Sequence, residues 1–108
     1  MGEAAFAVVL TEAAADDLEK IDEYWTHCGE GWRGEQYYWD LRTKAEQELR
    51  DPDSARHGRR VLNKYYPDAR EILAFGVYRI IYHIDEAAGI VNVLRFLHAH
   101  CDEPRSDV

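Results

Sequence analysis

Apolar and polar positions along this chain follow two periods, one after the other. Residues 5–10, "AFAVVL", are a short apolar run rich in valine and phenylalanine, which predicts a strand. Thr11 then offers an N-cap, and the acids behind it crowd the first turns, where a helix dipole favours negative charge. Ala14, Leu18, Ile21 and Trp25 recur at helical spacing and mark one apolar stripe. "HCGEG" ends that helix, since Gly29 and Gly31 can take left-handed backbone angles. A second helix is predicted over 32–50, where Gly34, Tyr37, Tyr38, Leu41, Ala45 and Leu49 keep the 3.6 period and Glu48 interrupts it. "DPD" at 51–53 stops the helix, and 51–69 reads as an irregular connector.

The period then drops to two. Strands are predicted over 70–75, 77–84 and 89–97, with Gly76 and "DEAAG" as the turns. Loops this short imply antiparallel neighbours. The expected fold is α+β in the order β-α-α-β-β-β, a small, largely antiparallel sheet covered on one face by a helical hairpin. At 108 residues a single domain, 1–108, is expected.

Strict alternation assigns the polar groups of the last strands to faces. Tyr78, Ile80, Tyr82 and Ile84 share one face, and Val77, Arg79, Ile81 and His83 the other. In the last strand Val91, Val93, Arg95 and Leu97 fall together, opposite Ile90, Asn92, Leu94, Phe96 and His98, with His100 and Asp102 continuing the second set. One face is therefore expected to be buried under the helices and the other half-open, carrying Arg79 and His83. Such a face suits two roles. Histidine can trade protons while arginine stabilises charge on phosphate. Alternatively both are solvent-side residues whose stems cover apolar surface. "HAHCD" also supplies zinc-ligand atoms in His98, His100, Cys101 and Asp102, but no second cluster or Cys-x-x-Cys accompanies it, and no metal or other cofactor is expected. Trp39 falls off the apolar stripe of its helix, as a partner-facing residue would.

Charge narrows the choice. The net charge of −8 weighs against direct binding to bulk nucleic acid. Acids concentrate between Glu12 and Glu23, while "RHGRRVLNK" holds four bases and no acid, which leaves room for one positive patch. No apolar run approaches the roughly 18 residues of a membrane span, and no secretory signal is expected, so Cys28 and Cys101 read as reduced thiols of a cytoplasmic protein.

Three segments, "LTEAAADDLEKIDEYW", "GEQYYWDLRTKAEQELRDP" and "REILAFGVYRIIYHIDEAAGIVNVLRFLHAHCD", resemble the ParE-type toxins of the RelE/ParE superfamily, the toxin halves of bacterial type II toxin–antitoxin pairs. The resemblance runs from about Phe6 to Asp102. It implies a cognate, ParD-like antitoxin that wraps the toxin in a hetero-oligomeric complex. For ParE-like members it implies inhibition of DNA gyrase by binding, without catalysis. For RelE-like members it implies ribosome-dependent mRNA cleavage, in which Arg79 and His98 would be the working groups. After Phe96 the chain offers His98 and His100 but no tyrosine, and the segment before "REIL" has Lys64, Tyr65 and Tyr66 in place of a dense lysine set. The gyrase reading is therefore preferred, and a weakly toxic, antitoxin-binding relative is a further alternative. The resemblance places target binding at Arg79, Arg95, His98 and His100. Antitoxin binding is expected at Leu18, Trp25, Trp39 and His83.

Overall fold

The computed structural model describes residues 4–98. Its elements are β1 (Ala7–Leu10), α1 (Glu12–His27), α2 (Gly31–Leu49), α3 (Pro52–Arg56), β2 (Arg59–Arg60), β3 (Arg70–Ala74), β4 (Tyr78–Asp85) and β5 (Ile90–His98). They form an α+β fold whose five-stranded mixed sheet has the order β1-β5-β4-β3-β2. β1 runs parallel to β5, and the other pairs are antiparallel.

Thr11 makes the strand-to-helix corner. Its Oγ1 accepts from the Ala14 amide at 3.2 Å and donates to the Val93 carbonyl at 2.8 Å. The side chain thus caps α1 and ties its start to β5. The predicted stripe packs as expected: Ala14 and Leu18 of α1 join Leu41, Ala45 and Leu49 of α2 over Ile80, Tyr82, Val91, Val93 and Phe96. The two helices touch closely at Gly34, where a Cβ would lie within 3.0 Å of the Asp22 backbone. Gly29 takes a positive φ in the loop as anticipated, whereas Gly31 already belongs to α2.

The connector is more ordered than its sequence suggests. Pro52 ends one helix and opens another: it sits in the first turn of α3, where a missing N–H costs nothing, and Asp51 caps that turn by accepting from the Asp53 amide at 3.3 Å. β2 then adds a short edge strand beside β3. Beyond it the chain crosses the far face of the sheet, where Val61 and Ala69 cover Ile81, Leu94 and Leu97 in a second, smaller core. The far face is therefore closed in its middle, which corrects the expectation of a half-open one.

The faces of β5 also differ from strict alternation. Tyr82 pairs with Val93 and Ile81 with Arg95, so Leu94 is an extra residue, a β-bulge. Val91 and Val93 face the helices before it, but after it Phe96 and His98 do, opposite Ile80 and Tyr78. Leu97 turns to the far face, opposite Arg79.

Tyr82 bolts the connector to the sheet. Its hydroxyl donates to the Ala55 carbonyl at 2.6 Å, and its ring is fully buried. Burial pushes its pKa up to about 12. A folded-state pKa above the unfolded value means the stabilisation is complete below about pH 10 and is lost as pH rises through 12. Stability should therefore fall across that window, and replacing Tyr82 with Phe should flatten that part of the fall. Unfolding by denaturant, followed across alkaline pH, measures it.

Candidate functional site

The site grows from a mismatch in strand length. β1 covers β5 only from Ile90 to Val93, so the rest of β5 projects beyond it and meets the side of α1. A bare strand edge has unpaired amides. Asp17 supplies the partner that β1 does not: its carboxylate accepts from the Phe96 amide at 3.0 Å and from Arg95 Nε and Nη2 at 2.6 and 3.0 Å. Asp17 is almost fully buried, which is tolerable because it is both paired and hydrogen-bonded. It sits on the apolar stripe between Ala14 and Leu18, a placement that marks it in the sequence as an acid to be buried without saying which base it meets.

Around this bridge lies a groove of about 370 Å³, bounded by Lys20, Ile21 and Tyr24 of α1 and by Tyr78, Arg95 and His98 of the sheet. Its floor is aromatic. Trp25 Nε1 donates to the Tyr78 hydroxyl at 3.1 Å and stacks on Tyr37, and the His98 ring meets Tyr78 edge-on at 5.4 Å. Arg33 lies over Trp25, with its guanidinium 5.3 Å from the ring centroid. Tyr24 stands at the rim, 60% exposed.

The expected target residues do not share one face. Arg95 and His98 line the groove, but Arg79 lies on the far face, where its Nε donates to Glu71 at 2.7 Å. Both members of that pair are shielded, Arg79 at 16% and Glu71 at 7% side-chain exposure. His100 lies outside the described residues, as do Cys101 and Asp102. Three of the four bases expected to form a positive patch in the connector have acid partners: Arg56 pairs with Glu86, Arg60 with Asp68, and Arg59 reaches Glu71 at 3.9 Å, while Lys64 lies over the Tyr65 ring.

The expected antitoxin residues also divide. Leu18 has no accessible surface and serves the core, so the surface beside it belongs to Ile21 and Tyr24. Trp25 is partly covered by its aromatic neighbours, whereas Trp39 is 55% exposed against Tyr38. His83 lies on the far face beneath Tyr66, its Nδ1 buried without a hydrogen-bond partner among the described residues. Asp17, Glu71 and Tyr78 were not among the expected site residues. Among the described residues no group of histidines, cysteines and acids is placed to hold a metal ion, and no helix is long and apolar enough to cross a membrane.

Residues 8–102 match the family described as "ParE toxin of type II toxin-antitoxin system, parDE". The chain belongs to that family and is a ParE-type toxin of a type II toxin–antitoxin system. Among solved structures it is similar to a chain of the chromosomal ParDE system from P. aeruginosa, with a TM-score of 0.73 at 15% identity, covering 91% of this chain and 100% of that one. It is also similar to a chain of the RelBE2 toxin–antitoxin complex from Mycobacterium tuberculosis, with a TM-score of 0.64 at 22% identity, covering 96% and 95%. No curated protein matches it significantly by sequence.

Proposed function

We propose that this toxin acts in the cytoplasm by binding DNA gyrase, performs no chemistry of its own, and is neutralised by a cognate antitoxin folded along the α1–β5 groove. The carrying observation is that both strand arginines are already committed. Arg79 is bonded to Glu71 and Arg95 to Asp17, so their charge is balanced by shielded carboxylates. An arginine that stabilises a reacting phosphate must present its charge to the substrate, and a carboxylate at 2.7 Å opposes that. A net charge of −8 is likewise a poor match for an RNA-lined site. Arg95, His98 and His100 act on this reading as target contacts, while Arg79, shielded on the far face, contributes little.

A disordered antitoxin segment that folds on binding gains most where apolar surface is exposed beside polar anchors. Tyr24 and Ile21 at the groove, with Trp25 partly exposed beside them, and Trp39 on α2 offer that surface. His83 lies on the opposite face, so an antitoxin touching it as well must wrap round the sheet.

Replacing Arg79 with Ala is expected to leave growth arrest within a few-fold of the parent chain when expressed without antitoxin, provided circular dichroism shows the fold retained. Abolition of toxicity in a folded Arg79→Ala protein would instead favour cleavage of mRNA, with Arg79 and His98 as the working groups.

A further inference from the structure

We propose that the outer edge of β1 is a self-association surface, on which a second copy of this chain adds its own β1 antiparallel across a two-fold axis. The proposal does not depend on gyrase or antitoxin binding. Ala7 and Thr11 donate their amides to Gly89 and Val93 of β5, so the backbone groups of Val8 and Leu10, one residue out of step, point away from the sheet. Among the described residues neither Val8 nor Leu10 donates a hydrogen bond outward. Sheet edges are normally guarded by charge, proline, a bulge or a cover. The opposite edge, β2, is two arginines, and the projecting half of β5 is capped by Thr11 and Asp17. β1 reads "AVVL" and has no such guard.

Beside this edge runs a groove of about 460 Å³ between β1 and α2, lined by Phe6, Val8, Thr43, Glu46, Gln47 and Arg50. Charge selects the occupant. Two copies at −8 each repel over most of their surface, but this groove holds one acid and one base. Neither Glu46 nor Arg50 forms an ion pair among the described residues. An isologous contact reverses their order across the axis and sets acid toward base. With the axis beside Val9, Val8 and Leu10 exchange both hydrogen bonds with the second copy's Leu10 and Val8. Val9, 45% exposed on the face away from the helices, then meets its own counterpart with Cα atoms about 4.5 Å apart. The result is one continuous sheet with both helical hairpins on the same side.

Sedimentation equilibrium of the full chain, without antitoxin, tests this. The average mass should rise from one chain toward two with concentration, and added salt should strengthen association by screening the net repulsion. Val8→Pro removes the outward amide and leaves the ladder to β5 intact, and Val9→Lys sets like charges opposite each other at the axis. Each should weaken the dimer by roughly tenfold or more, with unchanged circular dichroism. A chain that stays monomeric at every concentration, or a dimer indifferent to both substitutions, would overturn the proposal.

Discussion

Replacing Asp17 with Ala should lower the unfolding free energy by about 3 kcal/mol or more, the cost of stranding one member of a shielded ion pair. The loss has two parts. Arg95 loses the carboxylate that holds it through two hydrogen bonds, and the Phe96 amide loses its acceptor on a strand edge that β1 does not reach. In a domain of this size that corresponds to a fall in melting midpoint of roughly 12 °C or more. Asp17→Asn keeps an oxygen for the amide and removes the charge, so it should fall between the two. Thermal unfolding monitored by circular dichroism separates them. An Asp17→Ala protein as stable as the parent would show that the projecting half of β5 does not need α1 to complete it.

Adding a single methyl at Gly58 should be nearly as damaging. A Cβ there would stand 1.8 Å from the Tyr82 hydroxyl and 2.8 Å from its ring carbon, with the Glu71 carbonyl at 3.2 Å. The phenol cannot swing aside, because its ring is fully buried and its hydroxyl is held by Ala55. Overpacking of this kind costs about 1–3 kcal/mol, and the upper end is expected for Gly58→Ala, since three fixed groups surround the site. Tyr82→Phe removes the nearest clashing atom. In the Gly58→Ala background it should therefore recover part of the loss, whereas alone it forfeits the hydrogen bond to Ala55. A double-mutant cycle in denaturant measures that coupling. Strict additivity would mean that the connector docks by some other contact.

Those two sites also show what the residue pattern revealed and what it hid. The hairpin was legible because Ala14, Leu18, Leu41, Ala45 and Leu49 repeat at helical spacing and every one is fully buried. The alternation of Tyr78, Ile80 and Tyr82 likewise placed β4 correctly. β5 was harder, since its buried valines at 91 and 93 are followed by Phe96, a step of three that a bulge creates and an ordinary strand lacks. Strict alternation therefore grouped Phe96 and His98 with Leu94, whereas the bulge turns both to the helix side. The connector hid its structure because Asp51 and Pro52 serve equally as the end of one helix and the start of the next. Pairing was the least legible feature. Nothing local in "REILA" or "DDLEK" says that Glu71 will hold Arg79 or that Asp17 will hold Arg95, because each bond depends on the tertiary approach.

Those pairings shape the functional account. A surface whose arginines are held by carboxylates, and whose exposed side chains beside the groove are aromatic, is suited to docking on proteins. The same groove serves an antitoxin well, since covering Ile21 and Tyr24 there would also occlude Arg95 and His98, two of the residues assigned to the target.

The most direct test is a gyrase supercoiling assay with the purified chain, run beside cell-free translation at the same concentrations. The account predicts lost supercoiling with accumulation of cleaved DNA–gyrase complexes, untouched translation, and restoration of supercoiling by the cognate antitoxin. Blocked translation with gyrase fully active would contradict it.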